Sequence, residues 1–298
     1  MKKNLAFIMA IAALVMLFSF SGPLFACTVR GDFNTPGTYD CAAEDLWTLL
    51  QSTGGGIYTP TLASSLPPYS IQTKFENYTE GDLVLVTGKN GFSALYSVGE
   101  LDTKFAPANA VTLTLDWHGR YDLAGEGRAV EDVSDIDVVH AVNVIKGQTL
   151  HFYSSRLVVS GEGIIPKTYD LADLEDMAQA TYTNTSGADW TGPTLLSVLK
   201  ASGVNTKDMN SYVVVSATDG YATVLSMYEV THMTGTQYDL LAISASDGSI
   251  NGTTASDSGF ARLILLDDKG PGRWVSNVDD IAVYKLPSKE SSKAHWHE

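Results

Sequence analysis

The alternation of apolar and polar residues in the C-terminal half of the chain predicts short strands and short helices. Apolar and β-branched runs predict strands at residues 156–160, 212–217, 221–226, 240–244, 261–266 and 281–284. The turn signal Thr218-Asp219-Gly220 joins two of these strands into a predicted hairpin. Helical spacing predicts helices over residues 171–180 and 193–202; the second has Pro193 in its first turn and Gly203 as its end.

Helices and strands follow one another in an irregular order along this region. Regular alternation of strand and helix would indicate a doubly wound parallel sheet, and that alternation is absent from the sequence. The pattern therefore predicts an α/β fold with a mixed sheet, in the sense of an α+β arrangement.

The same pattern occurs twice. Seven residues recur in order in the second half of the chain: Val29, Gly31, Pro36, Thr38, Tyr39, Asp40 and Ala42 match Val159, Gly161, Pro166, Thr168, Tyr169, Asp170 and Ala172. The match continues with Gly91, Ser97, Glu100, Gly127 and Arg128, which fall on Gly220, Ser226, Glu229, Gly272 and Arg273. A period this long indicates tandem domains rather than a solenoid.

We therefore expect a first domain over residues 27–148 and a second over residues 149–287, with the boundary in the turn at 146–148 and a polar tail at 288–298. Residues 1–26 read as a secretory signal peptide, because Lys2 and Lys3 precede an apolar stretch that ends near Ser21. This stretch is shorter than the roughly 20 residues of a membrane-spanning helix. The chain is thus expected to be exported, to the periplasm or cell envelope, with no transmembrane segment.

The two cysteines leave several roles open. Cys27 and Cys41 are candidates for a disulfide in an oxidising compartment, or for two buried apolar side chains. Leu24-Phe25-Ala26-Cys27 also resembles a lipoprotein signal, which makes Cys27 a candidate lipid anchor. The formal net charge of −15 argues against nucleic acid and anionic lipid as partners.

One group of residues in the second half carries a family resemblance. Trp190-Thr191-Gly192-Pro193 precedes a leucine-rich helix, and Ala217-Thr218-Asp219-Gly220-Tyr221 forms a turn; Arg262-Leu263 leads a strand, and Trp274 lies shortly before the last one. In this order the second copy resembles the molybdopterin-binding domain of the sulfite oxidase family, and the first copy does so more weakly through the repeat. The resemblance implies a tandem sulfite-oxidase-like fold and oxidoreductase ancestry.

The resemblance also implies a metal-binding cysteine just before the tryptophan motif. Residues 182–187 of this chain read Tyr-Thr-Asn-Thr-Ser-Gly, without a cysteine. Neutral oxygen donors are poor substitutes for a soft thiolate at such a metal. We therefore expect no catalytic residue, no metal ligand and a degenerate cofactor site.

The remaining candidates for a cofactor-type cleft come from the same resemblance: Asn184, Trp190, Tyr221, Arg262, Lys269 and Arg273, with Arg120 and Arg128 as first-copy counterparts. The arginines suit phosphate oxygens because a planar guanidinium donates two parallel hydrogen bonds. A simpler interpretation is that Arg273 and its neighbours form a solvated loop pair with Asp267 and Asp268, and that the aromatic residues are packing residues.

Histidines add no further site: His118, His140, His151 and His232 are scattered, and His295 and His297 lie on the polar tail. The sequence thus predicts an exported non-catalytic binding or accessory protein, with a small molecule or a periplasmic protein as its partner and with no cofactor. The alternative is a periplasmic molybdopterin-dependent oxidoreductase with a non-cysteine metal site in which Asn184 is the oxygen ligand. A purely structural role at the cell surface is the third hypothesis.

Overall fold

A computed structural model describes ten segments of the chain, residues 27–31, 37–39, 45–52, 81–106, 111–118, 120–125, 127–141, 153–232, 237–250 and 259–286. The described residues from 27 to 141 are called the first half below, and those from 153 to 286 the second half. Four predictions lie outside the described residues: the signal peptide, the domain boundary near residue 148, the polar tail and the position of Cys41.

The first half contains a five-stranded and a three-stranded sheet. Its elements are β1 (Cys27–Gly31), β2 (Gly37–Tyr39), α1 (Leu46–Ser52), β3 (Asp82–Gly88), β4 (Ser93–Ser97), α2 (Val98–Leu101), β5 (Thr112–Leu115), β6 (Tyr121–Gly125), β7 (Arg128–Val130) and β8 (Val133–His140). The larger sheet has the order β2-β1-β8-β3-β4, in which β1 and β8 are parallel and the other pairs antiparallel. Strands β5, β6 and β7 form the smaller antiparallel sheet.

The second half contains one five-stranded and two three-stranded sheets. Its elements are β9 (Leu157–Gly161), β10 (Lys167–Tyr169), α3 (Leu171–Glu175), β11 (Gln179–Thr183), β12 (Asp189–Pro193), α4 (Leu195–Ala201), β13 (Ser211–Ala217), β14 (Ala222–Ser226), α5 (Met227–Thr231), β15 (Leu240–Ala242), β16 (Ser244–Ala245), β17 (Arg262–Ile264), β18 (Val275–Ser276) and β19 (Val278–Lys285). The sheet orders are β10-β9-β19-β13-β14, β11-β12-β16 and β15-β17-β18.

The two five-stranded sheets have corresponding orders, in which the second strand of the half, the first strand, the last strand and a hairpin follow one another. In each, the first strand pairs in parallel with the last strand, and the hairpin β3-β4 or β13-β14 forms one side. A register shift occurs at Thr87/Gly88 in one sheet and at Ser216/Ala217 in the other.

The predicted mixed sheet is confirmed, but the protein is mainly β, with short helices. The prediction of a helix over 171–180 is wrong beyond Glu175. The side-chain amide of Gln179 donates to the backbone carbonyls of Leu174 and Met177, which ends the helix, and residues 179–183 then form β11. The predicted helix at 193–202 is α4, which begins after an N-cap at Thr194 because Pro193 still belongs to β12.

Each half has its own apolar core, and a third cluster joins the two large sheets. In this third cluster Leu83 and Leu95 of the first half pack with Val214, Ala222 and Val224 of the second. The hairpins β3-β4 and β13-β14 therefore face each other across a buried apolar layer. In the described part of the chain, no helix has the length and apolarity needed to cross a membrane.

Candidate functional site

Arg262 lies among aromatic side chains at the start of β17. Its guanidinium carbon is 5.7 Å from the ring centre of Trp190 on β12 and 5.5 Å from that of Trp274. The two tryptophan rings meet edge to face with centroids 5.3 Å apart, and Tyr182 lies 6.2 Å from Trp190. We call Tyr182, Trp190, Arg262 and Trp274 the tryptophan cluster. Electron-rich indole rings at these distances attract a cation.

Two hydrogen-bond donors in the tryptophan cluster are buried without an acceptor. Within the described segments, neither Arg262 Nε nor Trp190 Nε1 has a hydrogen-bond partner. Trp274 differs, because its indole N–H donates to the carbonyl of Leu265 at 3.0 Å. Burial lowers the pKa of Arg262. A buried donor without an acceptor costs on the order of 1–3 kcal/mol, so an acceptor supplied by a ligand is favoured here.

Arg273 differs from Arg262 in that carboxylates bind it, although its Nη1 is also buried without a hydrogen-bond partner among the described residues. It is 1 % exposed, and its Nη2 donates to Glu229 Oε1 at 2.7 Å and also to Asp268. Its Nε donates to the second carboxylate oxygen of Asp268 at 3.1 Å. Burial lowers the pKa of Arg273, but the two carboxylates outweigh burial and hold it well above the ordinary value. The simpler interpretation of Arg273 as a partner of Asp268 thus agrees with this contact, which is buried rather than solvated.

Lys269 and Tyr221 hold the loop that carries Arg273. Lys269 donates from Nζ to the carbonyl of Thr103 at 3.0 Å and from its backbone N–H to the carbonyl of Phe105 at 2.9 Å. Tyr221 donates from its hydroxyl to the carbonyl of Gly272 at 2.6 Å. These contacts attach the loop to the first half on one side and to the turn after β13 on the other.

Asn184 is a turn residue between β11 and β12. Its Oδ1 accepts hydrogen bonds from the backbone N–H of Ser186 at 3.0 Å, the hydroxyl of Ser186 at 2.7 Å and the backbone N–H of Ala188 at 2.9 Å. Three donors on one oxygen leave it little capacity for a metal ion.

These placements test whether the predicted residues fit a pterin pyrophosphate and its metal. Trp190 and Arg262 lie together, whereas Arg273 and Lys269 are bonded to acidic side chains and to first-half carbonyls. As arranged, the three basic residues do not fit a single phosphate clamp, and Asn184 does not fit a metal ligand. Among the described residues, no three His, Cys, Asp or Glu side chains are grouped to hold a metal ion.

The first-half counterparts differ from each other. Arg120 is exposed and binds Asp116 through Nε at 2.9 Å and Nη2 at 2.7 Å. Arg128 is buried, binds Glu100 at 2.6 Å, and lies 3.9 Å from the ring centres of both Tyr96 and Tyr228. Arg128, rather than Arg120, therefore has an environment like that of Arg273.

Cys27 is fully buried at the start of β1 and is disulfide-bonded. Its predicted partner Cys41 lies outside the described residues, so the pair stays a prediction. One cysteine sulfur cannot form both a disulfide and a lipid thioether.

Three residues around these arginines were not singled out from the sequence as site residues: Glu229, Asp239 and Phe105. Glu229 was visible in the repeat as the match of Glu100, and that recurrence of an acidic residue was the available signal. Asp239 and Phe105 gave no such signal, because their burial depends on long-range packing.

No protein-family profile matches the chain, and no curated protein matches it either. Among solved structures, the chain is similar to the sulfane dehydrogenase SoxCD from Paracoccus pantotrophus, with 14 % identity and a TM-score of 0.33. The match covers 81 % of this chain and 59 % of that one. A TM-score this low marks a remote likeness that does not by itself establish a shared fold.

Proposed function

We propose that this chain is an exported, non-catalytic binding or accessory protein built on two tandem copies of a degenerate molybdopterin-binding fold. The tryptophan cluster of the second copy is its ligand site. The observation that carries this proposal is the partly buried guanidinium of Arg262, which lies beside two indole rings and whose Nε has no hydrogen-bond partner among the described residues.

The tandem arrangement is supported by the corresponding strand orders of the two large sheets and by the residues that recur in the same order. Positive φ angles at Asp132 and Asn277, each just before the last strand of its sheet, add a matching backbone detail. Residues other than glycine seldom adopt this conformation, so its recurrence favours two copies of one fold.

The ligand class follows from the donors and rings of the tryptophan cluster. Arg262 Nε and Trp190 Nε1 require acceptor oxygens, and a positive guanidinium favours an anion such as a carboxylate or a sulfur or phosphorus oxyanion. Aromatic walls favour a small planar body next to the acceptor. The ligand we propose is therefore a small anionic molecule.

The oxidoreductase alternative receives less support. It places Arg262 and Arg273 on a pyrophosphate and an oxygen ligand such as Asn184 near a metal, and both Arg273 and Asn184 have other partners. Releasing Arg273 would leave Glu229 and Asp268 as buried carboxylates without their cation, which costs several kcal/mol.

The test is a titration of the purified chain with sulfate, phosphate, acetate and benzoate at constant ionic strength, monitored by tryptophan fluorescence and calorimetry. We expect saturable binding of at least one anion, and an affinity at least tenfold weaker in Arg262→Met. Arg120→Met is the matched control, because it removes an exposed arginine far from any tryptophan of the cluster, and it should bind like the parent.

Equal binding by Arg262→Met and the parent would overturn the assignment of the site. Absence of binding to every anion, combined with no protein captured from a periplasmic extract, would overturn the binding function and favour the structural role.

A further inference from the structure

The two halves meet at buried charges as well as at apolar residues. Arg128 with Glu100 and Arg273 with Glu229 form corresponding ion pairs, one in each half, at 2.6 Å and 2.7 Å. Asp268 adds a third carboxylate, on Arg273. We call these five residues the interface cluster.

Hydrogen bonds cross between the halves inside this cluster. The hydroxyl of Ser97 donates to Glu229 Oε2 at 2.8 Å, and Arg128 Nη1 donates to Ser226 Oγ at 3.5 Å. Ring contacts cross as well, since Arg128 stacks on Tyr228 and Arg273 lies 5.6 Å from the ring centre of Phe105. The ionisable groups therefore contact the opposite half directly.

Packing leaves the cluster little freedom to rearrange. A Cβ atom added at Gly99 would approach the Arg273 guanidinium carbon at 2.6 Å, and one at Gly127 would approach the Tyr228 hydroxyl at 2.8 Å. Both glycines allow an aromatic or arginine side chain of the other half to lie against the backbone. A change of charge in the interface cluster therefore changes the stability of the contact between the halves.

The charges of the cluster do not balance. Three carboxyl groups, those of Glu100, Glu229 and Asp268, share two guanidinium groups in a space where the side chains are 1 to 12 % exposed. Asp239 acts on Glu229 and Arg273, and Asp267 acts on Asp239 and Asp268, so both increase the excess of negative charge. Like charges that are buried together favour binding of a proton by one of them.

We propose that the interface cluster is a pH-sensitive contact between the two halves, strongest when Glu229 carries a proton and weakened when all three carboxyl groups are ionised. This inference is independent of the ligand proposed for the tryptophan cluster. The proposed role of the corresponding Arg-Glu pairs, a pH-sensitive contact, exists only where the two halves meet.

The direction of the pKa shift of Glu229 agrees with this proposal. Burial raises the pKa of Glu229 to about 7, and Glu100 and Asp268 add to this rise, while Arg273 opposes it. The ordinary pKa of the carboxyl is 4.5, so the unfolded chain releases this proton at a lower pH than the folded chain. The stabilising contribution of Glu229 is complete below about pH 4.5 and is lost as the pH rises through about 7.

The test compares the full chain with Glu229→Gln by urea denaturation at pH 5 and pH 8. Gln keeps an oxygen for Arg273 and stays neutral, as the protonated carboxyl does. From pH 5 to pH 8, we expect the equilibrium constant for unfolding of the parent to rise on the order of 50-fold more than that of Glu229→Gln. Glu175→Gln, which removes an exposed carboxylate on α3, should behave like the parent.

A second measurement separates a contact between halves from a general effect on folding. Hydrogen exchange of the amides in α2 and α5, corrected for the intrinsic pH dependence, should accelerate from pH 5 to pH 8 in the parent and not in Glu229→Gln. The same pH dependence in parent and Glu229→Gln, in either measurement, would overturn the proposal.

Discussion

Arg262 and Arg273 lie in the same half, eleven positions apart, and have opposite surroundings. Arg273 is bonded to Glu229 and Asp268, and its charge is matched within the protein. Arg262 lies beside Trp190 and Trp274 with no carboxylate on it among the described residues. The acidic partners of Arg273 indicate a structural role, whereas Arg262 is the arginine that we propose binds a ligand.

The largest expected effect is that of Arg273→Met. This change leaves the carboxylates of Glu229 and Asp268 buried without a cation, and we expect a loss of about 3–5 kcal/mol in the free energy of unfolding by urea denaturation at pH 8. Adding Glu229→Gln and Asp268→Asn should restore part of the loss. A loss under about 1 kcal/mol for the single variant would contradict the structural role of Arg273.

A smaller loss is expected from Gly99→Ala. The added methyl group would lie 2.4 Å from Arg273 Cδ, which forces Arg273 or the backbone to move. We expect a cost of about 1–3 kcal/mol in urea denaturation. The matched control is Gly270→Ala, because its Cβ meets no atom within 4 Å and its φ of −171° suits any residue. Equal stability of the two variants would contradict the close packing at Arg273.

Asp239 is the acidic counterpart of Arg262, a buried charge with no cation bonded to it in the described segments. Burial raises its pKa to about 8, although the backbone N–H of Leu266 donates to Oδ1 at 3.0 Å and opposes the rise. Its contribution to stability is present below pH 4 and is lost as the pH rises through about 8.

Asp239→Asn keeps the acceptor oxygen for Leu266 and cannot ionise. At pH 8 we expect it to be more stable than the parent by about 1–3 kcal/mol, with the gain disappearing toward pH 4 in thermal unfolding. A gain that does not depend on pH would mean that another property of the amide causes it.

The smallest effect on stability is expected from Arg262→Met. Since no carboxylate among the described residues pairs with Arg262, an apolar side chain of similar length beside the two indole rings should change the free energy of unfolding by less than about 1 kcal/mol. Circular dichroism during urea denaturation checks this. A loss as large as that of Arg273→Met would show that Arg262 is also a structural arginine.

Much of the second half was predictable from the sequence. The strands at 212–217 and 221–226 and the turn between them were predicted within one residue, because alternation and a Thr-Asp-Gly turn are local signals. The helix prediction fails at residues 176–180 because the side chain of Gln179 ends the helix, and helical spacing does not report that contact.

The candidate site was predictable only in part. Trp190 and Arg262 were among the candidates, but no sequence feature separated them from Arg273 and Lys269. What separates these arginines is the position of Glu229, 44 residues from Arg273, and of the first-half segment around Phe105. Such contacts depend on how the sheets pack, and no local pattern encodes them.

The most direct test is analysis of the chain isolated from the envelope of the organism that makes it, by native mass spectrometry and elemental analysis. Our account predicts a small anionic molecule bound to the parent and absent from Arg262→Met, without stoichiometric molybdenum. Stoichiometric molybdenum together with a pterin would contradict it and make the protein an oxidoreductase with a metal site that has no cysteine.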